Sequence, residues 1–404
     1  MRGPAAQTGG VNRMQPLQSP AGQLISTILR HDAKVTSYKI ALLRAINDVV
    51  TAFPNLDHAQ QLIAIPLRVL ADRWIAYYWP FVDPAAPIRQ GPQSQFREGL
   101  RGDLSFRPAL TALRSAWAEA VGGSRAADGF VLVSDLQIAR RRSAYPPALM
   151  AAYAAANRAM ERAIAQPIKY AGPRGEHWAV FAKPVPRAKL PSSVVSVPDT
   201  RPQDVCLVLT PALWATFREV SLWVEALCIH EWCLFSERVD QGNGVTADRG
   251  LIYRLLTDRP DNRRPLSWER NQIDLLLLEG HPFRCPWTAR TIIQPGDYDL
   301  DHIIPLSAVP INELWNLVPA DSRFNQHTKR DRLPTVARLE RAQDALALAY
   351  TQYGVAPALA RALRDDVAAR FTTLGTHELG PQALAGAVTH YVNQVATLRN
   401  LVRF

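Results

Sequence analysis

The chain has 404 residues, which is more than one hydrophobic core usually holds, and this length predicts two or three domains. Hydrophobic residues make up 48% of it, a fraction that excludes broad disorder. The formal net charge is +10, with 40 Arg against 6 Lys, and an arginine-rich surface fits an acidic partner such as nucleic acid. A coding bias toward Ala, Arg and Pro explains the same charge equally well, so composition leaves both explanations open.

Hydrophobic periodicity along the chain predicts a mainly α-helical fold with a small β insert. After a flexible tail, helices are expected at 40–53, 58–78, 104–120 and 147–165. Three β-prone runs separated by Pro and Ser predict a small sheet or hairpin. These runs lie at 177–183, 194–197 and 205–210. Thr210 and Pro211 then form an N-cap and a first helical position, and helices return at 266–279 and after residue 334.

Changes in residue composition and hydrophobic pattern divide the chain into four parts. They are residues 1–20, 21–265, 266–335 and 336–404. The first is the tail, and the second is a mostly helical region, with the β-rich insert near 173–210, that we expect to recognise a target or a partner. The third carries the chemistry described below. The fourth is helical, and we expect it to pack on the third.

The cysteines and the N-terminus indicate the compartment. The four cysteines form no C-x-x-C pair, so no structural zinc is expected, and their low density fits a reducing cytosol. Residues 1–23 lack the apolar core of a secretory signal. No run of about 18 uncharged apolar residues predicts a membrane span. We therefore expect a cytoplasmic protein without a membrane partner.

Residues 298–334 combine acidic, imidazole, amide and basic groups. A β-prone run ends in Asp301 and His302, and both can border one cleft where the strand twists or ends. A cap at position 321 or 322 can begin a helix in which Asn325 and Lys329 share a face. Carboxylate, amide and phosphate oxygens make a hard site that suits Mg²⁺ or Mn²⁺ better than Zn²⁺. With a neutral His to take a proton from water, these groups suit phosphodiester hydrolysis.

This stretch resembles the HNH, or ββα-metal, endonuclease family, and the likeness includes the HNH domain of the RNA-guided CRISPR nucleases. It is carried by the run DLDHIIP at 299–305, the Asn-Leu pair at 316–317 and Asn325, nine residues after the first Asn. The resemblance covers about 50 residues and implies a ββα-metal nuclease unit within the otherwise helical chain.

The resemblance implies a role for each matched residue. His302 is the general base, and Asp301 and Asn325 are metal ligands. Asn316 is the middle Asn of the motif, which braces the loop and orients the His. Asp299 matches a nearby acidic position and is a further candidate ligand.

Two features depart from the family pattern. Many members carry two C-x-x-C pairs that bind structural zinc, whereas only Cys285 stands in such a place here. The domain is therefore expected to be held by apolar packing. Lys329 also lies one residue later than the family spacing, which leaves His327 as a weaker candidate for a metal or phosphate contact.

Basic residues in and before the motif are candidate contacts to DNA, and the sequence does not separate DNA from RNA. They are Lys329, Arg323, Arg330 and Arg332 in the motif and the run Arg140, Arg141 and Arg142 far upstream. A charge run is also often only a solvated face.

The sequence therefore predicts a metal-dependent HNH endonuclease that hydrolyses DNA with Mg²⁺ or Mn²⁺ and acts, by analogy, in restriction or defence against foreign DNA. Two alternatives stay open. One is a nucleic-acid-binding protein that keeps the ββα fold without cutting. The other is an intracellular DNase toxin, although such toxins usually carry the motif at their extreme C-terminus and about 70 residues follow it here. No activating protein partner is identifiable.

Overall fold

A computed structural model describes residues 19–54, 56, 60–92, 94–95, 101–172, 176–241, 248–258, 266–309, 311–371 and 380–404. The predicted tail lies almost wholly outside these residues. Within the described ranges, no helix combines the length and the apolar character needed to cross a membrane.

The described chain is mostly helical with small sheets, which confirms the predicted fold class. The helices before residue 260 are α1 (Pro20–Arg30), α2 (Tyr38–Ala52), α3 (Leu67–Tyr78), α4 (Arg107–Val121), α5 (Asp128–Gln137), α6 (Ala139–Arg142), α7 (Pro147–Tyr170), α8 (Pro211–Glu219), α9 (Ser221–Gln241) and α10 (Arg249–Thr257). The strands there are β1 (Ile63–Pro66), β2 (Ser94–Gln95), β3 (Arg101–Gly102), β4 (Val185–Pro186), β5 (Val195–Ser196) and β6 (Val205–Leu209).

The later part of the chain surrounds two short hairpins with helices. Its helices are α11 (Ser267–Leu278), α12 (Ser322–Phe324), α13 (Val336–Val355), α14 (Pro357–Arg370) and α15 (Pro381–Leu398). Its strands are β7 (Phe283–Arg284), β8 (Thr291–Ile292), β9 (Asp299–His302) and β10 (Leu317–Ala320). β7 pairs with β8 and β9 with β10, both antiparallel.

Helix starts follow local sequence rules. The hydroxyl of Thr210 accepts the backbone N–H of Leu213 at 3.3 Å, and Pro211 follows as the first residue of α8. This arrangement confirms the predicted N-cap, because a proline at the first position lacks only an N–H that the helix cannot use. Ser19 caps α1 in the same way, through Gly22.

One predicted helix begins too early. The helix expected over 58–78 starts only at Leu67, and Ile63–Pro66 forms β1 instead. Both isoleucines are fully buried, and β-branched side chains favour strands that pack on two sides. Pro66 then sits at the N-cap of α3 with a ψ of 135°, outside helical geometry.

The predicted local β insert is in fact part of a sheet shared with β1. The strand order is β4-β6-β1-β5, with β1 antiparallel to β6 and parallel to β5. Residues 177–183 form turns and irregular chain rather than the expected strand. The insert could not bury its apolar face alone, because a two-stranded hairpin is only marginally stable in water. β1 supplies the missing neighbour.

Two large hydrophobic cores divide the described chain. The first gathers buried side chains between residues 25 and 256, and the second gathers those between 266 and 396. The C-terminal helices belong to the second core. The hydroxyl of Tyr350 donates to the backbone oxygen of Trp315, and that of Tyr353 to the oxygen of Leu317, each at 2.8 Å. The helices after residue 335 therefore cover the β9–β10 hairpin.

Buried ion pairs join the two cores. Arg399, just after α15, pairs with Asp48 in α2 at 3.3 Å and also with Glu225 in α9. On another side, Arg141 in α6 pairs with Glu269 in α11 at 2.5 Å. Removing one partner from such a pair strands a charge in the interior, so these contacts favour one arrangement of the two parts.

Candidate active site

The motif residues lie on the β9–β10 hairpin and the helical turn that follows it. Asp301 pairs with Val318 in the antiparallel register. The carboxylate of Asp321 accepts the N–H of Phe324 at 2.9 Å and so caps α12. The helix then continues as a π-helical turn over Asn325–Lys329. Two strands and a helix thus occur in the order expected of a ββα unit.

The turn packs on the acidic face of β9. Asp299 and Asp301 are two residues apart and share a face of the strand. Asn325 Nδ2 lies 3.3 Å from Asp299 Oδ2, and Gln326 Nε2 donates to the same oxygen at 3.1 Å. Lys329 Nζ donates to Asp301 Oδ1 at 2.9 Å. The structure therefore brings together Asp299, Asp301 and Asn325, three of the predicted metal ligands.

The π-helical geometry accounts for the unusual spacing of Lys329. The N–H of Arg330 donates to the oxygen of Asn325 at 2.8 Å, a bond that spans five residues instead of four. Such a turn accommodates one extra residue before the chain leaves the helix. Lys329 can therefore lie one position later than the family spacing and still reach Asp301. Arg330 ends the turn with a φ of 52°, a conformation rare for a non-glycine residue.

Asp301 is a buried carboxylate with two donors. Besides Lys329, the indole N–H of Trp287 donates to its Oδ2 at 3.1 Å. Burial raises the pKa of Asp301, and both Lys329 and Trp287 oppose that rise. Lys329, which also donates to the backbone oxygen of His302 at 2.7 Å, thus supplies the positive charge that balances Asp301 in this interior.

His302 faces away from that ion pair. Its Nε2 lies 3.3 Å from Oδ1 of Asn312, in the loop before β10. If Nε2 donates to this amide oxygen, the ring is the tautomer in which Nδ1 is the proton acceptor. The side chain is only 4% exposed, so the surrounding protein, rather than bulk water, sets its orientation. The side chains of Asp301 and His302 therefore bind different partners at the end of β9: Lys329 and Trp287 for Asp301, and Asn312 for His302.

Asn316 braces the same loop from inside. Its Oδ1 accepts the N–H of Ile304 at 2.8 Å, and its Nδ2 donates to the oxygens of Ile304 and Ile311 at 3.0 and 3.1 Å. The side chain is fully buried. Asn316 therefore fixes backbone on both sides of the loop that holds His302, and it has no access to a substrate.

The donor groups near β9 fit a hard divalent ion better than zinc. Asp301 offers carboxylate oxygens, and Oδ1 of Asn325 accepts no hydrogen bond from the part of the chain that the structure describes. No group of three or more His, Cys, Asp or Glu side chains in that part is arranged to hold a metal. Mg²⁺ and Mn²⁺ accept such a sparse set, because water and phosphate oxygens complete their coordination.

Cys285 is buried, and its Sγ accepts the N–H of Asp321 at 3.2 Å.

Two family comparisons match this chain. A family described as a domain of unknown function, DUF8808, matches residues 18–256, which is more than half of the chain. The chain belongs to the DUF8808 family. A second family, described as HNH endonuclease, matches residues 285–335, so an HNH nuclease domain follows the DUF8808 region. Comparisons with curated proteins and with solved structures give no match. The likeness to the RNA-guided CRISPR nucleases stays a prediction.

The basic residues of the HNH domain differ in their access to a nucleic acid. Arg323 and Arg330 are exposed on the helical turn, where a phosphate can reach them. Arg332 is half-buried and donates to the backbone oxygen of Thr328. Lys329 is fully buried. The structure therefore places Lys329 away from the predicted phosphate contact, because its ammonium group is already held by Asp301.

One arginine of the upstream run, Arg141, is held by two carboxylates. Arg141 pairs with Asp135 at 3.1 Å and with Glu269 at 2.5 Å, and its side chain is only 12% exposed. It therefore joins the DUF8808 region to α11 rather than facing a phosphate. Arg142 donates to the backbone oxygen of Leu136 at 3.2 Å. The side chain of Arg140 lies outside the described residues.

Sequence reasoning missed three contacts of the site. Asn312 holds His302, Trp287 holds Asp301, and Lys329 neutralises Asp301. An asparagine within an otherwise apolar stretch was the available signal for Asn312, because polar side chains in such stretches are usually hydrogen-bonded inside the fold. Trp287 gave no signal beyond its expected burial.

Proposed function

We propose that this DUF8808 protein is a Mg²⁺- or Mn²⁺-dependent endonuclease that hydrolyses DNA phosphodiester bonds and restricts foreign DNA. The observation that supports this most is the packing of the Asn325–Lys329 turn on the acidic face of β9, next to a buried His302. The HNH domain match over residues 285–335 supports the same chemistry.

Each residue of the site then has its own role in the hydrolysis. Asp301 and Asn325 would hold the ion, which supplies Lewis-acid stabilisation of the phosphate charge when bound. His302 accepts a proton from the attacking water as the water oxygen bonds to phosphorus. The bond from phosphorus to the 3′-oxygen breaks, and that oxygen leaves with the bonding electrons and takes a proton from solvent water to become a hydroxyl. Asp299 orients the Asn325 amide.

DNA is the proposed substrate because of the charge distribution. The chain has 40 arginines, and Arg323 and Arg330 are exposed beside the motif. A unit of this size contacts mainly the phosphate backbone, which carries little sequence information. We therefore assign target or partner choice to residues 21–265 and chemistry to residues 266–335. The role in restricting foreign DNA is proposed by analogy with nucleases that pair a cutting unit with a large second region.

The test is cleavage of supercoiled plasmid by the full chain. With Mg²⁺ or Mn²⁺ we expect nicked or linear product, and with chelator we expect none. His302→Ala should lower the rate by roughly 10²–10⁴-fold, because a general base acts in the transition state. DNA affinity, measured in chelator by gel shift, should change by less than about threefold, because ground-state binding comes from other groups.

His230→Ala is the matched control, because His230 is exposed on α9, a helix that packs in the first core whereas the motif lies in the second. It should cleave like the native chain. Cleavage by His302→Ala at the native rate would show that His302 is not the general base. An RNA substrate cut in preference to DNA would correct the substrate class. Equal plating of phage on cells expressing native chain and His302→Ala would contradict the defence role.

A further inference from the structure

The loop before β10 holds His302 through side chains that are themselves buried. Asn312 contacts the imidazole, and Asn316 fixes the backbone at Ile304. Between them in sequence, Glu313 is only 5% exposed although it can carry a charge. A buried carboxylate is tolerated when it has a positive partner and full hydrogen bonding. The partner of Glu313 therefore identifies what fixes this loop.

Arg370, the last residue of α14, is that partner. Its Nη2 donates to Oε1 of Glu313, and its Nε donates to Oε2 at 3.1 Å, the bidentate geometry of strong arginine–carboxylate pairs. The indole N–H of Trp315 also donates to Glu313. One turn earlier on α14, Asp366 accepts the N–H of Leu314 at 2.6 Å. Two side chains of α14, Arg370 and Asp366, thus bind Glu313 and Leu314. These two residues directly follow Asn312, the partner of His302.

The same guanidinium reaches the DUF8808 region. Nη1 of Arg370 donates to the backbone oxygen of Ala52 at 3.1 Å, and the hydroxyl of Tyr391 donates to that oxygen at 3.0 Å. Ala52 ends α2, and the last carbonyls of a helix lack intrahelical donors and carry partial negative charge. Burial by itself lowers the pKa of Arg370, but Glu313 and Tyr391 outweigh it, so the net direction is upward. Arg370 is thus a permanently charged link between α2 and the loop.

We propose that Arg370 is a positioning residue that aligns the ring of His302 through Glu313 and Asn312 and makes this alignment depend on the docking of α2 of the DUF8808 region. The inference rests on the proposed function in that His302 is taken as the base. A displacement of α2 would then change the orientation of His302 through Arg370, a side chain that does not itself touch the substrate.

A second buried arginine allows this role to be separated from simple structural support. Arg399 also joins the C-terminal helices to the DUF8808 region, through Asp48 and Glu225. Its side chain is 11% exposed, against 7% for Arg370. Its partners lie in α2 and α9, not in the loop before β10. Loss of Arg399 leaves the contacts of Arg370 with Ala52 and Glu313 in place, so only loss of Arg370 should disturb His302.

The first measurement is the rate of plasmid nicking by the full chain with Mg²⁺ at one pH. In Arg370→Gln we expect the single-turnover rate to fall roughly 10–100-fold while DNA affinity changes less than about threefold, as for a lost orienting contact. Arg370→Lys keeps the charge and should fall between native chain and Arg370→Gln. Arg399→Gln should keep the native rate.

The second measurement follows His302 itself and needs no cleavage. The chain has nine histidines, and in ¹³Cε1-labelled, metal-free protein the His302 resonance is the one lost in His302→Ala. Its ¹³Cε1 chemical shift at one pH should move in Arg370→Gln and Glu313→Gln, because the ring then leaves its native surroundings, and stay native in Arg399→Gln. The charged pair on the other side of β9, Asp301 and Lys329, is unchanged in these variants. A change in the His302 signal therefore shows a change in the loop before β10.

Two results would overturn the positioning role. One is a native His302 chemical shift in both Arg370→Gln and Glu313→Gln. The other is an equal change of that chemical shift in Arg399→Gln. If Arg370→Gln does not fold, Arg370→Lys and Glu313→Gln decide by the same criterion. A native chain that fails to nick DNA refutes the proposed function while the chemical shift still decides the positioning role. A native nicking rate in Arg370→Gln beside an inactive His302→Ala refutes positioning alone.

Discussion

Replacing Lys329 with methionine removes a fully buried charge while keeping the length of the side chain. The substitution breaks the 2.9 Å ion pair with Asp301 and the 2.7 Å hydrogen bond to the His302 oxygen. Removing one member of a buried pair typically costs about 3–5 kcal/mol, because the other charge stays in the interior. We expect Lys329→Met to lower the free energy of unfolding by that amount at pH 8.

The loss should shrink in acid. Burial already raises the pKa of Asp301, and without Lys329 it should rise further, so the folded variant binds a proton that the unfolded chain releases. A folded-state pKa above the unfolded one means that stability falls as pH rises through the interval between them. Lys329→Met should therefore approach native stability as pH is lowered from 8 toward 5.

The assay is a double-mutant cycle in urea, in chelator, with Lys329→Met, Asp301→Asn and the double variant. Each single variant leaves one buried charge and the double variant leaves neither. The double variant should therefore be more stable than the sum of the single losses predicts, by about 2 kcal/mol or more. Additivity within about 0.5 kcal/mol would refute the reasoning, because it would mean that the turn does not pack on β9 as described.

Two further predictions concern pH and metal. Burial raises the pKa of Asp72, which accepts from Tyr153 and Asn157, from near 3.8 to about 6. The native chain should therefore lose up to about 3 kcal/mol relative to Asp72→Asn as pH rises from 4 to 7, and parallel pH profiles of the two free energies would contradict this. Chelation should stop nicking but leave the helical circular dichroism and the melting temperature unchanged, because the core around β9 is closed by apolar packing. A collapse of the helical signal would show that a metal is structural.

The sequence predicted the site best where its residues are close neighbours along the chain. Asp299, Asp301 and Asn325 lie within 27 positions of each other, and the resemblance to the HNH family singled out all three as candidate ligands. The extra residue before Lys329 looked like a departure because spacing rules assume an α-helix. A π-helical turn preserves the contact, and this geometry depends on packing against β9 that no local pattern encodes.

The parts that could not be predicted depend on partners far away in sequence. Glu269 is 128 residues from Arg141, and Glu313 is 57 residues from Arg370. An arginine in an amphipathic helix or in a charge run has the same local signature whether it faces solvent or a distant carboxylate. The helical prediction at Ile63–Pro66 failed for a related reason, because its strand neighbours, β5 and β6, begin only at residues 195 and 205.

The position of α13–α15 after the motif has a consequence during synthesis. α15 ends at Leu398, so at about 5–20 residues per second roughly 4–15 s pass between the addition of Asn325 and the end of that helix. When this interval begins, Tyr350, Tyr353 and Arg370 have not yet been added. The carbonyls of Trp315 and Leu317 then lack the tyrosine hydroxyls that later bind them, and Glu313 lacks its ion-pair partner. The DUF8808 core, complete by residue 256, emerges before any of this. We therefore expect a nascent chain to acquire its folded N-terminal region first and its aligned His302 last, which would delay nuclease activity until the C-terminal helices have docked.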